Sequence, residues 1–224
     1  MKVLNLYACL GGNRFKWDEV AKEKGIEIEV TAVELDPEAA RLYQERFPND
    51  KVIVADAHQY LLDNYKEFDF IWSSPPCPSH SRVRFSQKNR ESTKAIYPDM
   101  KLYEEILFLQ NYFEGKYVVE NVIPYYEPLI QAQKRGRHLY WTNYTLPTDI
   151  KERKVQIGSG KDEVNKLCIF HDYDFRRYKG EQRVDKMARN LVDYEAGRTI
   201  FETALGIIKK KDEKQISIFD ELNY

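Results

Sequence analysis

Val3-Leu4-Asn5-Leu6-Tyr7-Ala8-Cys9-Leu10-Gly11-Gly12-Asn13 opens the chain with a short apolar run that breaks into two consecutive glycines. The run reads as a buried strand, and the glycines allow a tight turn with close backbone approach to a ligand at the next helix N-terminus. Taken alone, a plain turn would use the same residues. The rhythm recurs, however. Apolar runs at residues 26–33, 52–55, 68–72 and 117–119 are bounded by turn or polar residues and are rich in Val, Ile, Phe or Tyr. Helix-length segments separate them. Asp36-Pro37-Glu38 opens one with an N-cap acid, a proline at the first helical position and a second acid beside the positive dipole end. Residues 101–113 carry Leu102, Ile106, Leu109 and Phe113 at helical spacing. Strand alternating with helix over this length predicts an α/β fold, a doubly wound and mostly parallel sheet with helices on both faces. Ligands of such sheets gather at the carboxyl ends of the strands.

Among 224 residues, 35 basic and 36 acidic side chains leave a net charge of -1, so total charge does not announce a nucleic-acid partner. The three cysteines, Cys9, Cys77 and Cys168, form no CxxC pair, which argues against a zinc site and a disulfide framework. No metal is expected. The opening run is too short for a signal peptide, and no stretch approaches the roughly 20 apolar residues of a membrane span. A cytoplasmic protein with reduced thiols is expected.

The strand ends carry the chemistry. Val33-Glu34-Leu35-Asp36 places an acid where ribose hydroxyls could donate to it, and Asp56-Ala57 places another where an adenine amino group could. Acids at successive strand ends point to a nucleoside-bearing cofactor. Ser73-Ser74-Pro75-Pro76-Cys77-Pro78-Ser79 grips a cysteine between prolines in stiff geometry at the same edge. Cys9 and Cys168 read as inert packing, Cys77 as a nucleophile. In Val118-Val119-Glu120-Asn121-Val122 a carboxyl stands between valines, costly to bury unless paired or used.

After Trp141 the pattern changes. The expected division is a catalytic and cofactor-binding domain at 1–142, a small target-recognition lobe at 143–187, a return to the catalytic domain at 188–210 and a charged linker and tail at 211–224. A last helix is expected over residues 195–210, with Ile200, Ala204, Leu205 and Ile208 on one face.

In order and spacing these pieces resemble the DNA (cytosine-5) methyltransferase family. They are the Gly-rich first turn, Val33-Glu34-Leu35-Asp36, Ala55-Asp56, Pro75-Pro76-Cys77, Glu120-Asn121-Val122, Gln133-Lys134-Arg135-Gly136-Arg137 and Arg189-Asn190-Leu191-Val192. The chain departs from the family's usual Phe-Ala-Gly with Tyr7-Ala8-Cys9, and Pro78 follows the cysteine where the family places Gln.

The resemblance implies S-adenosylmethionine as cofactor, held by Tyr7, Ala8, Leu10, Gly11, Gly12, Asn13, Glu34, Leu35, Asp56, Ala57, Pro75, Asn190 and Leu191. It implies covalent attack by Cys77 on carbon 6 of a flipped-out cytosine in double-stranded DNA. Glu120 would bond the ring, and Arg137 and Arg135 would fix the base carbonyl and a phosphate. The loop after Cys77, with Ser79, Arg82, Arg84, Lys88 and Arg90, would close over the target and contact phosphates. The tail residues Gln215, Ile218 and Phe219 resemble a peptide that docks on the bacterial sliding clamp. Three alternatives stay open: the same reaction on tRNA, a folate-using pyrimidine alkylase with a Pro-Cys nucleophile, and a catalytically silent DNA-binding module.

Overall fold

A computed structural model describes residues 1–82, 96–150, 153 and 162–207. Its centre is a seven-stranded sheet of order β3-β2-β1-β4-β5-β7-β6. The strands are β1 (Lys2–Leu6), β2 (Glu29–Glu34), β3 (Lys51–Val54), β4 (Phe70–Ser73), β5 (Lys116–Val122), β6 (Gln133–Arg135) and β7 (His138–Thr142). The first five run parallel, whereas β7 is antiparallel to both β5 and β6. Strand order reverses between β1 and β4, so their carboxyl ends flank the crevice where such sheets bind ligands.

Alternation along each strand divides the core. Leu4, Leu6, Ile71 and Val119 face one side, under α3 (Ala57–Asn64) and α4 (Lys101–Tyr112). Val3, Phe70, Trp72 and Val118 face the other, under α1 (Trp17–Lys24) and α7 (Tyr194–Ala204). There Trp17 stacks on Phe201 with ring centroids 4.9 Å apart. Each fully buried side chain of this size contributes roughly 1.5–3 kcal/mol, enough to override weak local preferences. On α2 (Pro37–Arg46) the Asp36 carboxylate accepts from the backbone N–H of Glu38 and of Ala39, so the helix starts where the sequence signals it.

Three features depart from expectation. Residues 133–142 form a hairpin, turning through Gly136 at φ +52°, and its Gln-Lys-Arg strand carries no apolar alternation to announce it. The last helix stops at Ala204, short of residue 210, because Gly206 is left-handed at φ +68°. After β7 the described residues hold α5 (Glu163–His171) and α6 (Val184–Arg189), the latter crossing the expected boundary at 187, and this part packs on α2 and the first turn. Leu167, Phe175, Tyr178 and Met187 share a core with Leu10, Ala39 and Leu42. At the edge of that core the Tyr178 hydroxyl donates to Asp36, and Arg177 pairs with Glu45. Among the described residues, no helix is long and apolar enough to cross a membrane.

Candidate active site

One cleft of about 910 Å³ opens along the carboxyl ends of the parallel strands. Its floor is the turn after β1. Tyr7, Cys9 and Gly11 are all left-handed there, with φ of 54°, 48° and 69°. For the two residues with side chains this costs on the order of 1 kcal/mol each, so surrounding bonds must hold the turn. Tyr7 donates its hydroxyl to Glu105 Oε1 over 2.5 Å, Cys9 donates its N–H to Glu34 Oε2 over 2.8 Å, and the Cys9 thiol lies 2.9 Å from Met187 Sδ. Cys9 thus reproduces a left-handed position without glycine, and burial, then Glu34, pushes its thiol well up.

The glycines serve packing more than ligand approach. A Cβ on Gly11 would stand 2.4 Å from Phe47 Cε2, and one on Gly12 would stand 2.3 Å from Val192 O. Gly12 lines the cleft together with Tyr7, Ala8 and Asn13. Leu10 and Gly11, expected beside the cofactor, face inward instead: Leu10 is fully buried against α2 and residues 167–191.

At the end of β2, Glu34 accepts from Cys9 N–H through one oxygen and from Asp36 N–H through the other, the latter over 2.9 Å. Burial is the largest influence on it and raises its carboxyl, against those two bonds. Leu35, beside it on the cleft wall, is 68% exposed. Asp56 caps α3 through the Gln59 N–H over 3.0 Å, which lowers its carboxyl, and its second oxygen lies 3.5 Å from Lys101 Nζ. Ala57, Asn190 and Leu191 complete this half of the cleft, whose wall also includes Lys186.

The other half assembles around Cys77. The Cys77 carbonyl accepts from His80 and Ser81 N–H, both over 3.0 Å, which closes a tight turn behind the sulfur. Asn121 donates its amide to Pro75 O over 2.9 Å, and Glu120, next to it on β5, turns into the cleft. Ser74 donates to Glu120 Oε2 over 2.8 Å and receives the Trp72 indole N–H over 2.8 Å. Burial first, then Glu120, raises the Cys77 thiol, while its own backbone and Lys186 act the other way.

Arg137 and Arg135 part company. Arg137 lines the cleft beside His138. Arg135 is not among the lining residues: its guanidinium donates to the carbonyls of Pro147, Leu146 and Lys134 over 2.5, 2.6 and 2.9 Å. The left-handed turn at Gly136 separates them: Arg135 ends β6, whereas Arg137 lies in the turn before β7 and reaches the site.

Ser79 and Arg82, soon after Cys77, are held by other segments of the chain. Ser79 Oγ accepts from Asp99 N–H over 3.0 Å, and Arg82 Nε donates to Pro124 O over 2.7 Å. Arg84, Lys88 and Arg90 lie outside the described residues, as do Gln215, Ile218 and Phe219. Among the described residues, no group of three His, Cys, Asp or Glu side chains could hold a metal ion.

Two contributors escaped the sequence reading. Glu105, fully buried, receives Tyr7, receives Ser73 Oγ over 2.6 Å and faces His58 Nδ1 at 3.1 Å. Its signal was present: Leu102, Glu105, Ile106 and Leu109 form one helical stripe, so the carboxyl sits on the apolar face. His138, with Nε2 3.5 Å from Glu120 Oε1, is the other.

Comparison with known proteins places this geometry. An Entamoeba histolytica methyltransferase, EhMeth, superposes with a TM-score of 0.55 over 94% of this chain and 99% of its own, at 10% identity, which shows a shared fold. A DNMT2 variant from Spodoptera frugiperda matches at 25% identity with a TM-score of 0.39, covering 54% of this chain and 35% of that one. This chain therefore spans about a third of that relative's length. No curated protein matches the chain. The sequence pattern of the C-5 cytosine-specific DNA methylases matches residues 1–123, which include the first turn, Glu34, Asp56, Cys77 and Glu120. With more than half of its 224 residues so matched, the chain belongs to the C-5 cytosine-specific DNA methylase family.

Proposed function

We propose that the protein transfers a methyl group from S-adenosylmethionine to carbon 5 of cytosine in double-stranded DNA, with Cys77 as nucleophile. The observation that carries this reading is the meeting of Cys77 and Glu120, brought from different strand ends, in one cleft with acids suited to a nucleoside. The cleft of about 910 Å³ lies at the upper end of the roughly 300–1,000 Å³ typical of ligand sites, room for a cofactor and an extruded base.

The residues fit the cofactor. Each Glu34 oxygen accepts one backbone N–H and keeps a lone pair for a ribose hydroxyl. Leu35 offers an exposed apolar platform for a purine face, and Asp56 a half-solvated acceptor for an exocyclic amine. When bound, S-adenosylmethionine supplies an electrophilic methyl on a sulfonium.

Carbon 5 of cytosine is a poor nucleophile, and a thiolate added at carbon 6 makes it enamine-like. Cys77 supplies the sulfur. Glu120, carrying a proton, donates to ring nitrogen 3 and accepts from the exocyclic amine, drawing electron density from the ring as the bond forms. Arg137 donates to the base carbonyl. After alkylation the proton on carbon 5 leaves and Cys77 is expelled. A base within a duplex cannot meet the sulfur, so it is flipped out at a cost of a few kcal/mol. Residues 79–90, with Ser79, Arg82, Arg84, Lys88 and Arg90, would close over the target and contact phosphates. Residues 143–187 read the target by their position in the chain, between the Arg137 turn and Asn190, while 1–142 and 188–210 form the catalytic body. The tail, through Gln215, Ile218 and Phe219, docks on a sliding clamp; equal binding by the full chain and a chain lacking 215–224 overturns that part.

Incubating the full chain with radiolabelled S-adenosylmethionine and equal amounts of duplex DNA and total tRNA tests the reaction. Label in 5-methylcytosine of the DNA is expected. Label in tRNA alone assigns the RNA substrate instead, and no label in either defeats the proposal.

A further inference from the structure

His138 opens β7 directly after Arg137. In the antiparallel pairing of β5 with β7, Glu120 stands opposite Tyr140 and Val122 opposite His138. Opposed residues share a sheet face and the side-chain period is two, so Glu120 and His138 project from the same face as diagonal neighbours. The imidazole Nε2 lies 3.5 Å from Glu120 Oε1, while Oε2 is already taken by Ser74. Glu120 is the more deeply placed, its side chain 8% exposed against 27% for His138. The histidine therefore stands between a nearly dry carboxyl and the open cleft. Its ring packs edge-on to Tyr140 at 6.3 Å, which limits its swing.

The chemistry described above gives this contact a task. Glu120 must present a proton to ring nitrogen 3 as negative charge from the attacking sulfur moves onto the ring. Ser74 uses its hydroxyl proton on Oε2, so it steadies the carboxyl as an acceptor and does not load it. Oε1 is the remaining oxygen, and the imidazole faces it. Ionisable or charged groups lining the same cleft include Cys77 on the loop after β4, Arg137 on the turn before β7 and Lys186 on α6. Of these, Cys77 is consumed as nucleophile, an arginine is not a proton donor at neutral pH, and Lys186 acts on the Cys77 thiol, whereas His138 stands 3.5 Å from Oε1.

We infer that His138 is a positioning residue that stores the proton Glu120 uses. This rests on the reading of Glu120 given under Proposed function. In the ligand-free site one proton is shared between the two groups. As the base arrives, the Nε2–H bond breaks and an Oε1–H bond forms, leaving neutral imidazole. Cys77 first loses its thiol proton to water; as the sulfur then adds to carbon 6, the Oε1–H bond breaks and an N3–H bond forms. When the carbon 5 proton passes to water and Cys77 is expelled, the N3 proton returns to Oε1 and then to Nε2 and the thiolate takes back a proton from water, so the site ends each turnover as it began.

The test compares His138→Phe, His138→Gln and Glu120→Gln with the parent, as full chains at saturating DNA and S-adenosylmethionine, across pH 5.5–9. Phenylalanine keeps an aromatic ring against Tyr140, and glutamine offers an amide donor toward Oε1 without an exchangeable charge. The expected result for both His138 variants is a kcat reduced by about 10–100-fold at pH 8, within the range general acid–base groups contribute, with KM for both substrates changed less than about threefold. Their kcat should also begin to fall at lower pH than that of the parent. Rescue by glutamine would reduce His138 to an orienting hydrogen bond and overturn the inference, as would a parental profile in both variants. Full activity of Glu120→Gln would instead overturn the reading beneath it. Histidine NMR of the ligand-free protein gives an activity-independent check: His138 should titrate at lower pH in Glu120→Gln than in the parent, and an unchanged midpoint contradicts the shared proton.

Discussion

The Asn121 side-chain amide donates to the backbone oxygen of Pro75 over 2.9 Å, tying the strand end that carries Glu120 to the loop that carries Cys77. Asn121 also accepts from the Val122 N–H through its own oxygen over 2.9 Å, so its orientation is fixed at both ends. Two reactive groups on separate segments thereby share one rigid mount.

Asn121→Ala removes that strap and leaves the buried Pro75 carbonyl unpaired. Stability should fall by about 1–3 kcal/mol, the cost of an unsatisfied buried acceptor. The larger effect should be on kcat, lowered roughly 10²-fold by a misplacement on the order of 1 Å. S-adenosylmethionine affinity should fall less than kcat, because of the cofactor residues only Pro75 is released and the acids of the other half are untouched. Loss of cofactor binding, measured calorimetrically, would contradict this division.

Gly12→Ala should act on the cofactor half alone. Gly12 is right-handed at φ -60°, a conformation alanine accepts, so the substitution carries no backbone penalty of its own. Its Cβ would stand 2.3 Å from Val192 O and 2.6 Å from Leu191 Cγ, forcing the returning 190–192 segment away from the turn. Cofactor dissociation should rise about tenfold or more, equivalent to about 1.4 kcal/mol, with an unchanged far-ultraviolet spectrum. An unaltered dissociation constant would show that this contact does not shape the site.

Cys77 should be a slow target for iodoacetamide in the ligand-free protein at neutral pH. Burial disfavours its thiolate, and Glu120 disfavours it further, so the alkylation midpoint lies above that of an ordinary thiol. Glu120→Gln removes the second influence, and its alkylation profile should move to lower pH. A shift to higher pH, or none, would mean the two side chains do not face each other.

His171 sets an acid limit on stability. Burial, with Arg153 and Arg46 acting in the same direction, depresses its imidazole to about 3, and its Nδ1 has no hydrogen-bond partner. The unfolded chain takes up this proton near pH 6.5 and the folded chain does not, so stability falls as pH drops from about 6.5 toward 3. By pH 5 the loss is about 2 kcal/mol, or about 4–8 °C in Tm. His171→Phe should lose less between pH 7.5 and 5. Parallel Tm curves for the two proteins would contradict the assignment.

Much of this was written locally. Val3 to Leu6, Ile71 and Val118 announce buried strands because parallel strands covered on both faces are continuously apolar, and Asp36 announces its helix because it caps it. The hairpin at 133–142 was not legible as strands, since Gln133, Lys134 and Arg135 draw their place from pairing with β7. Gly11 reads as a ligand contact because glycine in a turn signals either close approach or close packing, and Leu10 only through the family resemblance. Only the Phe47 and Tyr43 rings, remote in sequence, decide for packing. Arg135 and Arg137 look equivalent in the sequence until the turn at Gly136 sends one to backbone carbonyls and the other to the cleft. His138 carried no signal at all, because its significance is a diagonal contact across two strands.

The central claim is the covalent bond between Cys77 and a flipped cytosine. Duplex DNA carrying 5-fluorocytosine at target sites lacks the proton that must leave carbon 5, so an enzyme using this route stays attached. With S-adenosylmethionine present, the parent chain should form a complex that survives denaturing electrophoresis, with Cys77 as the modified residue in the peptide map, and Cys77→Ser should form none while still binding the cofactor. A parent chain that methylates ordinary DNA yet never traps on the fluorinated duplex, or a Cys77→Ser variant that turns over at the parental rate, would contradict the account.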